Sequence, residues 1–205
     1  MAEEMKGLLL ENGWAPVTSD MGFLEWDAER AAHAFADWQA ELLAPGGGAV
    51  EARPVAGSLE QVLSALLPLI SGEKPRHLFI PTRSAWTAYF DNGWRGTDVG
   101  GPMRYMCRTL GCRGMRVGAV PYTLRKDKGR YGIIVLEVYG LRQTNWLNYL
   151  RSIPVANDGG RWVFGQSGEP FPSPTTWYSE TATVTVALLP KASSLASATH
   201  SIFMR

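Results

Sequence analysis

Helices packed on a mainly antiparallel β-sheet, the α+β class, is the fold this sequence predicts. Three observations lead there. Helical periodicity is concentrated in the first 70 residues. From residue 76 onward the apolar runs are short and joined by tight turns rich in Gly, Asn and Asp. The regular alternation of strand and helix that marks a parallel βαβ sheet is absent, and elements grouped in this way favour an antiparallel sheet with helices on one face.

The elements are justified in chain order. Residues 2–12 predict a short helix that stops at Asn12-Gly13, and the mixed segment from Trp14 to Trp26 predicts a loop. Ala28 to Leu43 predicts a helix capped by Asp27. Its apolar face comprises Ala31, Phe35, Trp38 and Leu42, and Pro45–Gly48 ends it. Val50 to Val55 has strand composition. Ser58 and Gln61 form a capping box, in which the serine hydroxyl takes the Gln61 amide and the glutamine reaches back. Leu59, Val62, Leu63, Leu66, Leu67 and Ile70 then recur at helical spacing, with Pro68 loosening the last turn.

His77–Ile80 and Trp86–Phe90 predict strands. Trp86, Ala88 and Phe90 share one face of the second strand, and Thr87 and Tyr89 the other. Asp91-Asn92-Gly93 is a turn signal, and Pro102 to Leu110 predicts a helix ended by Gly111. Met115–Tyr122 and Tyr131–Tyr139 predict a hairpin around the charged turn 125–130. Arg151–Ala156 and Arg161–Gly165 predict a second hairpin around 157–160. Residues 1–170 are expected to form one domain. Residues 171–205 hold 12 Ser or Thr and 3 charged side chains. Thr181–Leu189 has strand composition, and the chain after Pro190 is expected to be mobile.

The formal net charge of +1 conceals a division along the chain. Residues 1–73 carry 12 acidic and 3 basic side chains, whereas residues 74–168 carry 5 and 15. Such a basic middle suits a partner with an acidic surface, or it is offset by the acidic helices packed beside it. A basic run is missing outside the hairpin turn, and so is an RNP-like aromatic motif, which argues against nucleic acid. No apolar run approaches the roughly 20 residues of a membrane span, and the acidic start lacks the features of a secretory signal. A cytoplasmic protein is therefore expected.

Chemistry-bearing motifs are scarce. Phosphate-binding loops, the nucleophile elbow, zinc-protease helices, EF-hand loops and dinucleotide fingerprints are all missing, and no cofactor is expected. Cys107 and Cys112 lack zinc-ligand spacing and predict two reduced, partly buried thiols. The densest candidate stretch begins at Arg83 and runs through Tyr89, Asp91, Asn92, Trp94, Arg95 and Asp98. A loop offering Trp and Arg beside carboxylates has the composition of a binding hot spot. Gly100-Gly101-Pro102 opens a helix whose N-terminus could hold an anion with Arg95 and Arg104, and Asp91 and Asp98 could exchange a proton. The structural alternative is a turn built by Asp91 and Asn92, with Asp98 as helix cap. Most of the eight tryptophans are expected in the core or at its rim.

Trp86–Gly93, Arg151–Ile153 and Asn157–Gly165 resemble segments of small bacterial proteins of the polymorphic-toxin immunity type. The resemblance covers residues 76–170 and consists of turn and core signatures. It implies a rigid α+β body that occludes a toxin's active site, and it assigns no residue a role. The leading expectation is a non-enzymatic protein-binding module. An enzyme acting on an anionic small molecule and a nucleic-acid binder are the alternatives.

Overall fold

The computed structural model describes residues 9–10, 13–70, 75–124, 126, 128–141, 149–157, 159–169 and 200–204. In chain order the elements are β1 (Asp20–Leu24), α1 (Ala28–Leu43), β2 (Ala52–Ala56), α2 (Leu59–Ser64), β3 (His77–Pro81), β4 (Thr87–Asp91), α3 (Gly100–Leu110), β5 (Gly114–Val120), β6 (Gly132–Tyr139), β7 (Tyr149–Asn157), β8 (Trp162–Phe164), β9 (Ser167–Gly168) and β10 (His200–Met204). The strands form one sheet in the order β2-β10-β3-β4-β1-β5-β6-β7-β8, with β9 also paired to β7. Every strand pair is antiparallel. The α+β class with helices packed on an antiparallel sheet is therefore the fold.

The helices cover both faces of the sheet, not one. Side chains alternate across a strand, and neighbours on β3 and β4 enter opposite cores. Phe79 and Tyr89 join Phe35 of α1 and Met103, Met106 and Cys107 of α3. Leu78, Ile80, Ala88 and Phe90 join Val62, Leu63 and Leu66 near α2. All five residues of β4 are buried, so the strand expected to bury one face buries both.

The N-caps follow the local sequence. Asp27 accepts the Arg30 amide at 3.0 Å, and Ser58 and Gln61 complete the capping box. Ala31 and Phe35 are fully buried and Trp38 half-buried, but Leu42 is exposed, so the seam of α1 ends a turn early. α2 closes at Ser64, well short of Ile70. Its exit tightens into i−3 bonds from Ala65, Leu66 and Leu67, because Pro68 has no amide proton and disfavours helical geometry in the residue before it.

The loop expected between Trp14 and Trp26 contains β1, which sits at the centre of the sheet between β4 and β5. Gly22 and Asp20 occupy positions where an apolar residue would have signalled a strand. Glycine suits position 22, since a Cβ there would fall 2.9 Å from Met103 Sδ and 3.2 Å from the Tyr89 ring, so that Met103 would have to shift. The helix expected over 2–12 lies outside the described residues apart from Leu9 and Leu10, which form a turn. Thr181–Leu189 also lies outside them. His200–Met204, within the segment expected to be mobile, forms β10 between β2 and β3.

Candidate functional site

The loop after β4 is fixed from within. Asp91, only 7% exposed, accepts the Gly93 amide on one carboxylate oxygen and the Asp98 amide on the other, each at 2.8 Å. Thr97 accepts the Asp91 amide and donates to the Val17 carbonyl. Burial pushes the Asp91 carboxyl up, its two amide donors pull it back, and the nearby charges of Asp98 and Asp20 add to the rise, which ends at about 6. Asn92 is equally committed. It accepts the Arg76 amide at 2.8 Å and donates to the Pro68 carbonyl at 3.3 Å, tying the end of β4 to the entry of β3. The bond from the Gly93 amide to Asp91 makes the side-chain turn expected here, and burial of Asp91 and Asn92 makes the two side chains the loop's internal scaffold.

What the loop does expose is Trp94, at 51%, with the Arg95 guanidinium 4.7 Å from its ring centroid. Asp98 is exposed too. It does not cap α3: the N-cap is Val99, without a side-chain bond. The two arginines expected around the α3 N-terminus diverge. Arg95 lies over Trp94, while Arg104 extends to the Tyr149 hydroxyl at 2.5 Å. Tyr89 is a core residue, fully buried and hydrogen-bonded to His77 at 2.9 Å. Arg83 sits in the β3–β4 turn, at the opposite end of β4 from Asp91.

Beside this loop lies a charged group that sequence reasoning missed. Asp20 on β1, Arg116 on β5 and Glu137 on β6 share the face covered by α1 and α3. Arg116 binds Asp20 at 2.5 Å and Glu137 at 3.2 Å, and Tyr139 donates to Glu137 at 3.0 Å. Burial raises the Asp20 carboxyl, Arg116 offsets part of the rise, and Glu137 and Asp98 add to it. For Arg116, burial works against the charged form, but the bonds and charges of Asp20 and Glu137 outweigh it and raise the pKa. The sequence signal was present: a single acid within the apolar run of β6, and a single arginine between Gly114 and Gly118 on β5. Among the described residues, no cluster of His, Cys, Asp or Glu could hold a metal ion.

Strand register brings three loops to one end of the sheet. Gly22 pairs with Tyr89, Asp20 with Gly118, Val120 with Ile133, and Gly132 with Asn157. The 92–98 loop, the β5–β6 hairpin and the β7–β8 turn therefore project from the same end. From β4 to β8 this end extends five strand spacings, ~24 Å. Trp94, Tyr122, Tyr131 and Trp162 are exposed along it, between 38% and 58%. Arg95, Lys126, Lys128, Arg130 and Arg161 are exposed among them, and no ion pair engages these five among the described residues. The aromatic rings have local support. A Cβ on Gly132 would lie 2.5 Å from the Trp162 ring and 2.8 Å from Tyr122 Cβ, and one on Gly159 would touch Tyr131 and Leu124. The two turns thus pack on each other.

The chain matches no family model, no curated protein and no solved structure. No helix among the described residues is long and apolar enough to cross a membrane.

Proposed function

We propose that the protein is a non-enzymatic binding module whose contact surface is the aromatic and basic end of the sheet, and that its partner is a protein with an acidic surface, as a toxin neutralised by an immunity protein would be. The observation carrying this reading is the juxtaposition of four exposed aromatic rings with five exposed cations, outside any ion pair among the described residues, on three loops and the first residue of β8 at one end of the sheet. Aromatic side chains and arginine dominate binding energy at protein interfaces, and like-signed charge around them speeds the encounter with an oppositely charged partner. The antiparallel sheet beneath supplies rigidity, which lowers the entropic cost of association. Catalysis through Asp91 is disfavoured by the commitment of both its oxygens to backbone amides.

The test is capture from the lysate of the native host, with the purified chain as bait and the Trp94→Ala/Arg95→Ala variant as control. A stoichiometric protein partner retained by the wild type and lost by the folded variant is the expected result. A partner that binds both equally removes the 92–98 loop from the interface. Capture of nucleic acid with a steep salt dependence would replace the protein partner by a polyanion.

A further inference from the structure

The two cysteines lie away from the proposed surface, and their chemistry is independent of it. α3 ends at Gly111 in the left-handed region, φ 64, which glycine adopts without a steric penalty. This turn returns the Cys112 amide to the Cys107 carbonyl at 3.1 Å. That six-to-one bond is the signature of the Schellman motif, which brings the side chains at its two ends together. Here those side chains are thiols. Both are buried and neither is in a disulfide. A Cβ on Gly114 would lie 2.3 Å from Cys107 Sγ, so the missing side chain leaves space for that sulfur between α3 and β5. The neighbouring thiols act on each other in opposite senses: Cys112, together with burial, pushes the Cys107 thiol up, and Cys107 pulls the Cys112 thiol down against its own burial, which favours the thiolate at Cys112. The charge of Glu25 opposes that thiolate, and Glu25 is itself held by Arg113 at 2.6 Å.

We propose that Cys107 and Cys112 form an oxidation site, at which a peroxide converts the dithiol into an intrachain disulfide that pins the C-terminal cap of α3. Cys112 is the entry point, because its neighbours Gly111 and Arg113 are exposed whereas Cys107 is fully enclosed. The Cys112 thiolate attacks one peroxide oxygen. The O–O bond breaks, hydroxide leaves and is protonated to water, and Cys112 becomes a sulfenic acid. The Cys107 sulfur then attacks the Cys112 sulfur. The S–S bond forms, the S–O bond breaks, and the hydroxyl departs as a second water with the Cys107 proton. Two thiols are oxidised and one peroxide is reduced to two waters. A disulfide needs Cα atoms within about 4.4–6.8 Å, and the 3.1 Å bond from the Cys112 amide to the Cys107 carbonyl brings the two backbones into direct contact.

The experiment treats the full chain with hydrogen peroxide, blocks remaining thiols by alkylation and digests with trypsin. Arg108 separates the two cysteines, so the disulfide would join the peptides 105–108 and 109–113, and dithiothreitol would release them. The Cys107→Ser variant should stop at the sulfenic acid, trapped on Cys112 by dimedone, while wild type gives no adduct. Unlinked cysteines at a peroxide dose that oxidises methionine would overturn the proposal. So would disulfides joining two molecules in place of the internal one, or a folded Cys107→Ser variant that gives no adduct.

Discussion

At the scale of single residues, Asp91 makes the sharpest claim about pH. Its folded-state value, about 6, lies above the ordinary 3.8. Between those values the folded protein binds a proton that the unfolded chain has released. The stability this carboxyl contributes is therefore fully present below about pH 3.8 and is lost as pH rises through about 6. The difference is worth about 3 kcal/mol at neutral pH. Asp20 is shifted in the same direction, and Glu25, lowered by its bond with Arg113, in the opposite one. Asp91→Asn isolates the contribution. The amide keeps one acceptor and loses the other, a fixed cost of about 1–3 kcal/mol, and it cannot titrate. Urea unfolding of both proteins should show the wild type losing about 2 kcal/mol relative to the variant between about pH 4 and pH 7. A constant difference across that range would mean that Asp91 ionises like a solvated carboxyl.

At the scale of elements, the Asp20–Arg116–Glu137 group joins β1, β5 and β6 beneath α3. Arg116→Ala leaves two largely buried carboxylates facing each other, and a loss of about 3–5 kcal/mol is expected in urea unfolding. Arg116→Met combined with Asp20→Asn and Glu137→Gln removes every charge and should recover part of that loss. A triple variant no more stable than Arg116→Ala would show that packing of the arginine stem, and not charge, sets the cost. Ser58→Ala tests α2 separately: removing the cap should cost about 1 kcal/mol. These elements differ in how plainly the sequence announces them. Capping residues and 3.6-residue spacing act locally, so Asp27, Ser58 and Gln61 could be placed without knowing the fold. β1 could not, because its pairing with β4 and β5 and the glycine that admits Met103 are tertiary facts. The same applies to the site. Asp91 and Asn92 have the composition of an exposed turn, and only the approach of Gly93, Asp98, Arg76 and Pro68 turns them inward. Trp94 and Arg95 lie at the surface of that loop, a placement local sequence could suggest but not establish.

At the scale of the whole molecule, the proposed surface exists because register sets three loops of distant sequence on one end of the sheet. Rings and charges there should contribute differently to binding. Cations around a contact mainly accelerate encounter, whereas aromatic anchors slow dissociation. Lys126→Glu/Lys128→Glu/Arg130→Glu should therefore lower the association rate for an acidic partner by about tenfold or more at low salt, with little change at high salt, where charges farther apart than a Debye length are screened. Trp162→Ala should leave association nearly unchanged and speed dissociation about thirtyfold, the equivalent of a 2 kcal/mol anchor. Surface plasmon resonance against the captured partner, at two salt concentrations, separates the two effects. The charge variant should unfold in urea near the wild-type midpoint, since its replaced side chains are exposed, whereas Trp162→Ala, whose ring packs over Gly132, should keep one cooperative transition at a lower midpoint. Equal losses in both rates for both variants would point to a distorted surface. A wild-type dissociation rate for Trp162→Ala would confine the interface to the 92–98 loop and the β5–β6 hairpin.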